Sequence, residues 1–409
     1  MPTKNKLKIF NDPIYGFITI PNSLIFDIIQ HKYFQRLRRI TQMGLSYLVY
    51  PGAHHTRFHH ALGCMHLMQK AINVLRFKGV EISEEEETGL LIAILLHDIG
   101  HGPFSHAMEH SIVNDVSHEE ISLRFMEELN IEFNGSLTLA ISIFKGEYPR
   151  PFMCQLISSQ LDMDRADYLK RDSFYTGVAE GNINSERLIT MLNVVDDQLV
   201  VEEKGILSVE KFLIARRFMY WQVYMHKTGV VAEQLLVGIL KRAKELVHKG
   251  VKLKCSDPLF YFLSSEINAE NFNAETLVIF SKLDDYDIIA ALKDWQNHDD
   301  FVLSNLCQMI LERNLLKIKL KNKPIKALDL KSHVDALIKK HNISKHEAAY
   351  FVFQGELINQ AYQNKTQKIN VLLKSGKIKD IVKASDQLNL KALIKPITKY
   401  YMCYPKNKL

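Results

Sequence analysis

The 409-residue chain is 47% hydrophobic and 24% charged, the proportions of an ordinary globular protein with length for one large domain or two. No apolar run reaches the roughly 18–20 residues of a membrane helix, and the start, MPTKNKLKIFNDPIYG, holds no signal-peptide core, so neither span nor leader is expected. Five scattered cysteines, Cys64, Cys154, Cys255, Cys307 and Cys403, are never spaced as CxxC; they read as the reduced thiols of a cytoplasmic protein.

The net charge of +6 is unevenly spread. From Leu311 to Leu409 there are 21 basic against 7 acidic residues, whereas the rest of the chain holds 31 basic and 39 acidic. A basic region thus follows a mildly acidic body. Its bland reading is a solvated lysine face; the sharper one is a surface for single-stranded nucleic acid or another polyanion.

In chain order, Lys8–Ile20 suits a short strand pair. Ser23–Met43 has apolar residues at helical spacing after Pro21-Asn22, and is expected as one helix. Ala61–Phe77 and Glu84–Asp98 follow as helices, the second opened by Ser83 and an acidic first turn. Leu192–Leu207 has two β-branched runs around Asp196-Asp197 and reads as a hairpin. Val209–Val247 is a long helical stretch, with an interruption expected near Gly229. Gly250–Pro258 is the expected domain boundary, since Gly250 suits a helix C-terminus and Pro258 discourages helix from continuing.

The chemistry concentrates in AILLHDIGHGPFSHAME, Ala93–Glu109. An aliphatic helix ends on His97-Asp98, and His101 follows four residues after His97. Neighbours on a helix point about 100° apart, so His97 and Asp98 can grasp one ion from adjacent directions. A single histidine here would be read as a helix cap, but the cluster outweighs that reading. Imidazole with carboxylate suits one divalent transition ion such as Mn, Fe, Ni or Zn, and is not a pure Mg or Ca set. Further ligands are on offer. HHTRFHHALG, His54–Gly63, places His60 near a helix start. In SSQLDMDRADYLKRDSFYTG, Asp164, Asp167 and Tyr168 share one helical face.

The ordered set His60, His97-Asp98, Asp164 matches the H…HD…D pattern of HD-domain metal-dependent phosphohydrolases. NDPIYG (Asn11–Gly16), FQRLRRITQMG (Phe34–Gly44), TRFHHALG (Thr56–Gly63), HDIGHGPFSH (His97–His106) and DMDRADYLKRD (Asp162–Asp172) resemble the deoxynucleoside triphosphate triphosphohydrolase, or dGTPase-like, branch. KFLIARRFMYWQVYMHKT, Lys211–Thr228, is similar to a later helix of that branch. The likeness is dense over roughly residues 8–245 and then thins.

The resemblance implies a mainly α fold: an HD-domain helical core with small β-hairpins and a helical C-terminal region. Residues 1–250 would be the catalytic domain and 251–409 a basic, mostly helical region. His60, His97, Asp98 and Asp164 would hold the metal, and Mg would be the ion that accompanies the substrate. His101, His106 and His118 match further active-site histidines. Glu109, at i+3 from His106, would orient that ring and raise its pKa for protonation of the departing 5′-oxygen. Arg57 would clamp phosphate. Tyr168 and Asp172 match sugar-contacting positions, Gln42 a contact to the 3′-hydroxyl, and Arg216, Tyr220, Tyr224 and Lys227 the residues that close the pocket. Arg165 stands where animal relatives have lysine, which keeps the charge and alters the reach.

The reaction implied is hydrolysis of a dNTP to deoxynucleoside and inorganic triphosphate by a homo-oligomer. Two alternatives remain open from sequence. One is an HD nucleotide phosphatase, phosphodiesterase or nuclease of other specificity. The other is a nucleic-acid-binding regulator with a vestigial site.

Overall fold

The computed structural model describes residues 8–104, 107–108, 111, 113, 116–363, 367–386 and 390–406. Strands β1 (Lys8–Asp12) and β2 (Gly16–Ile20) form the expected antiparallel pair, in register from Lys8↔Ile20 to Asp12↔Gly16. Asp12 Oδ1 holds the turn by accepting from Ile14 N and Tyr15 N (2.9 and 3.0 Å).

The single helix expected over Ser23–Met43 is instead broken. Helix α1 (Ser23–Gln30) ends at His31, and α2 (Lys32–Gln35) starts there. His31 is extended, and its Nδ1 accepts from Tyr33 N (3.3 Å), so one side chain ends one helix and caps the next. A 3-10 turn over Arg36–Arg39 follows. The periodicity of Leu24, Ile28, Phe34, Leu37 and Ile40 is real and all but Leu24 are buried; periodicity alone does not register a cap.

Helix α3 (Arg57–Phe77) starts four residues before the expected Ala61, because Thr56 and His59 form a capping box. The imidazole of His59 completes the box: its Nδ1 accepts from Thr56 N (3.2 Å). Helix α4 (Glu84–Leu96) is opened by a Ser83/Glu86 capping box, and every residue from Gly89 to Leu96 is buried. Helices α5 (His118–Glu132), α6 (Thr138–Phe144), α7 (Pro151–Ile157) and α8 (Met163–Thr176) complete the layer around α3 and α4.

Strands β3 (Leu192–Val195) and β4 (Gln198–Glu202) are the hairpin expected around Asp196-Asp197, both of which adopt positive φ (50° and 53°) as a two-residue turn demands. The expected long helix divides into α9 (Ile206–Met219) and α10 (Lys227–His248). Its break lies ahead of Gly229, in a π turn over Tyr220–Tyr224, after which His226 caps α10 through Thr228 N (3.2 Å). Helices α11 (Asp257–Ser264), α12 (Ala274–Phe280), α13 (Asp285–Trp295) and α14 (Phe301–Leu311) follow.

Beyond Leu311, strands join the helices that sequence analysis expects. Strand β5 (Lys317–Lys321) pairs with the last strand, over Ile397–Tyr404, which also pairs with Phe353–Asn359. In KIKLK, charged and apolar residues alternate, the period of a strand with one solvated face. Residues Asn370–Leu372 run parallel to β4, in register at Val200↔Asn370. The buried apolar residues from Ile18 to Cys403 form one cluster. The architecture is mainly α with small sheets. Among the described residues no helix is long and apolar enough to cross a membrane.

Candidate metal centre and its pocket

Three helices converge on the four expected ligands: His60 from α3, His97 and Asp98 at the end of α4, and Asp164 from the first turn of α8. Asp164 Oδ1 lies 3.2 Å from His60 Nε2 and 3.5 Å from His97 Nε2. Asp98 Oδ1 is 3.5 Å from His97 Nε2, and its Oδ2 is 3.7 Å from His60 Nε2. Ligands about 2.1 Å from one ion are spaced roughly 3.0–3.4 Å from each other, so the cluster is close to coordination spacing.

Each imidazole is oriented by its other nitrogen. His97 Nδ1 donates to Ile94 O (2.6 Å), and its Nε2, fully buried, has no hydrogen-bond partner. A buried lone pair facing two carboxylates is the arrangement a cation satisfies. His60 Nδ1 donates to Asp167 Oδ2 (2.7 Å). Asp167 in turn accepts from Arg171 Nε and Nη2 (2.9 and 3.0 Å), and Arg171 Nη1 donates to Asp12 Oδ2 (2.8 Å). This buried chain from hairpin to ligand was not foreseen, although Asp164, Asp167 and Arg171 do recur at helical spacing. Gly63 makes it possible: a Cβ there would stand 2.0 Å from Asp167 Oδ1 and 2.3 Å from Arg171 Nη2.

Charge follows geometry. Burial works to raise Asp98, but His97, His101 and Arg57 hold it well below the usual carboxylate range. Burial is similarly outweighed at Asp164 by hydrogen bonds to His60 and His97, and at Asp167 by Arg171, which leaves Asp167 at about 2. The donor set of imidazoles and ionised carboxylates fits a divalent transition ion. Cys64 Sγ also approaches His60, but at 3.5 and 3.6 Å from its two ring nitrogens. Near-equal distances put the sulfur over the ring face, a packing contact away from the Nε2 lone pair.

Beside the ligands, His101 Nε2 is 3.2 Å from Asp98 Oδ1, and the His101 and His118 rings stack at 4.0 Å. Gly100 permits this neighbourhood, since a Cβ would meet His118 O at 2.2 Å. Burial first, then Arg57, pushes the His101 imidazole down to about 3, so it is neutral. Arg57 Nη1 donates to Asp98 Oδ2 (2.6 Å). His106 and Glu109 lie outside the described residues.

The expected sugar-side residues form a connected wall. Asp172 Oδ2 accepts from Tyr224 OH (2.8 Å), and Tyr224 packs edge-on against Tyr168 and Tyr220. The π turn supplies both Tyr220 and Tyr224. His55, which sequence reasoning did not single out, joins this wall: Nε2 donates to Asp172 Oδ1 (2.7 Å), while its backbone carbonyl accepts from Gln42 N (2.9 Å). Arg216 Nη1 donates to Gln160 Oε1 (3.2 Å) and the guanidinium lies over Tyr220. Arg165 is paired with Asp162. Lys227 is placed differently, in a cavity of about 320 Å³ with Thr228, Arg313, Lys317 and Lys406, none of them a metal-cluster residue.

Comparisons agree with this geometry. Residues 57–172 match the HD domain, and residues 183–254 the HD associated region. The chain is 32% identical to YwfO, an uncharacterized protein of Bacillus subtilis, over 98% of this chain and 92% of that one. It is 32% identical to the deoxynucleoside triphosphate triphosphohydrolase SAMHD1 homolog of Dictyostelium discoideum, over 63% of this chain and 52% of that one. A crystal structure of a phosphohydrolase from Bacteroides thetaiotaomicron superimposes with a TM-score of 0.95 at 52% identity, covering 98% of this chain and 100% of that one. A buried two-histidine, two-aspartate cluster, at the HD positions, in a chain so similar to a solved phosphohydrolase along its whole length, identifies this protein as a member of the HD-domain phosphohydrolase family.

Proposed function

We propose that the chain is a metal-dependent dNTP triphosphohydrolase that releases deoxynucleoside and intact triphosphate. The observation that carries this reading is the wall of Tyr168, Asp172 and Tyr224 on α8 and the π turn, built on the same helix as Asp164. A hydroxyl-bearing sugar fits such a wall of carboxylate and phenols, and bare phosphate does not. The relatives named as dNTP triphosphohydrolases support the same substrate class.

In this reading His60, His97, Asp98 and Asp164 hold one ion of Mn, Fe, Ni or Zn. Such an ion supplies Lewis acidity at phosphorus and a water of lowered pKa. Arg57, anchored by one nitrogen to Asp98, has the rest of its guanidinium for the phosphates, and Mg would travel with them. His101, neutral and buried, faces Asp98 Oδ1 through Nε2 and helps to hold that carboxylate beside the phosphate site. His118 supports its ring by stacking, and His106 with Glu109 protonates the leaving 5′-oxygen. Tyr168 and Asp172 orient the sugar; Gln42, Arg165, Arg216, Tyr220 and Tyr224 shape the rest, and Lys227 acts at the margin.

Incubation of each dNTP with Mn or Mg, followed by product separation, tests this. Deoxynucleoside plus triphosphate is expected; orthophosphate or pyrophosphate as the main product overturns it. His106→Ala should retain its metal and lose roughly 10²–10⁴-fold in turnover, the usual contribution of general acid catalysis.

Two further parts of the reading concern setting. The enzyme works in the cytoplasm as a homo-oligomer, at least dimeric; its five free thiols are consistent with a reducing compartment. Its basic region binds single-stranded nucleic acid. Lys321, Lys323 and Lys399 line a cavity of about 530 Å³, and Lys399 Nζ sits 4.2 Å from the Trp221 ring centre, a pairing of cation and stacking platform.

A further inference from the structure

The turn that carries Asp98 and His101 leaves a helix end with no glycine cap of its own. Several of its carbonyls nevertheless find partners from elsewhere in the chain. Ser122 Oγ donates to His97 O (2.8 Å) and accepts from Gly100 N (2.8 Å). Asp98 O accepts from His101 N (3.2 Å). The carbonyls of Ile99 and His101 both accept from one guanidinium: Arg36 Nη1 donates to Ile99 O (2.8 Å) and Nη2 to His101 O.

Arg36 itself is fully buried. Among the described residues no carboxylate is paired with it, and Asp284 and Asp285 favour its charge only from a distance. Its Nε reaches Leu283 O (3.4 Å), and its charge is held between the rings of Phe125 and Phe280, 5.5 and 5.1 Å away. A buried cation that bonds only backbone carbonyls is costly, and its planar fork fits two carbonyls on one turn in a way that lysine does not.

We infer that Arg36 is a positioning residue: it fixes the turn over residues 98–101, and thereby holds the Asp98 carboxylate in the metal cluster and the His101 ring beside it. This rests on the hydrolytic reading above. It also explains why α12 and the turn after it, outside both matched regions, belong to the working enzyme: α12 supplies Phe280, and the turn supplies the Leu283 carbonyl, that seat the arginine.

The test compares Arg36→Lys and Arg36→Met with the wild-type protein by hydrogen–deuterium exchange and by dNTP turnover, each with Mn. Arg36→Lys keeps the charge and loses the fork. Faster exchange confined to peptides covering residues 97–104, with α3 and α10 unchanged, is expected. Turnover should fall roughly 10- to 100-fold with KM changed by less than about threefold, the signature of a misplaced group and not of lost binding. Unchanged exchange in that turn, or exchange raised equally throughout the chain in both variants, overturns the inference. If the wild type turns over no dNTP, the hydrolytic reading fails, and the exchange pattern alone decides the role of Arg36.

Discussion

The metal cluster and the lysine-rich region after Leu311 use charge in opposite ways. Around His60 the ion pairs are buried and closely matched: Asp167 with Arg171, Arg171 with Asp12, Asp98 with Arg57. Beyond Leu311, Lys317, Lys319, Lys323 and Lys339 point into solvent. Removing one member of a buried pair strands its partner and typically costs 3–5 kcal/mol, whereas exposed pairs contribute about 0–1 kcal/mol. The difference teaches where function is tied to one geometry and where it is spread over a field. Single substitutions should therefore be severe in the first region and mild in the second.

The sharpest break is at the ligands. His97→Ala and Asp98→Ala proteins should carry almost no metal by elemental analysis, and turnover should vanish with it; full occupancy in both would remove the metal assignment.

One step out, Asp167→Asn keeps the shape but weakens the grip on His60 Nδ1. Loss of such an outer partner typically costs 10- to 100-fold in metal affinity. Competition with a chelator reads this, and an affinity equal to wild type would mean that His60 needs no orientation.

A third measurement concerns the contact between Thr41 and the start of α13. Asp285, at the start of α13, accepts from Thr41 N and Oγ1 (2.8 and 2.7 Å), and burial pushes it up from 3.8 to about 6. A carboxyl with a raised folded pKa binds its proton more tightly in the native state. Stability from this group is thus present at low pH and is lost as pH rises from about 4 through 6. Two units correspond to about 2–3 kcal/mol. Asp285→Asn should gain that much relative to wild type between pH 4 and pH 7 in denaturant titrations; a constant difference would place the carboxyl at its ordinary value.

The smallest effect is expected at the surface. Changing Lys321, Lys323 and Lys399 together to Gln should leave dNTP turnover within about twofold. Single-stranded DNA binding should weaken, and its dependence on log salt should flatten by roughly 0.7 per lost phosphate contact. An unaltered salt slope would leave those lysines as a solvated face only.

What was legible in the sequence divides along similar lines. His97-Asp98 is contiguous and follows an aliphatic helix, and the Asp196-Asp197 turn sits between β-branched runs, so both could be read locally. The break at His31 could not, because a histidine that caps through Nδ1 looks, in a periodic pattern, like any other polar position; the one at His226 was expected only from nearby Gly229. Nor could the partners of His60: Asp12, Asp167 and Arg171 come from two elements more than 150 residues apart, and only the close approach that Gly63 allows brings them together. The place of Lys227 is a third kind of case. Its position in a matching helix is clear, but the cavity it lines is built by residues 313–318 and Lys406, far along the chain.

The parallel pairing of Val200 with Asn370 has a bearing on how the protein is made. Strand β4 leaves the ribosome long before its neighbour at Asn370–Leu372 exists. At 5–20 residues per second, roughly ten to thirty seconds pass in which that edge is open. Loop closure over such a span is slow, and an unpaired strand edge invites pairing with other chains. The nascent polypeptide therefore depends on late residues to seal an early hairpin, and truncation before Asn370 would turn a transient exposure into a permanent one.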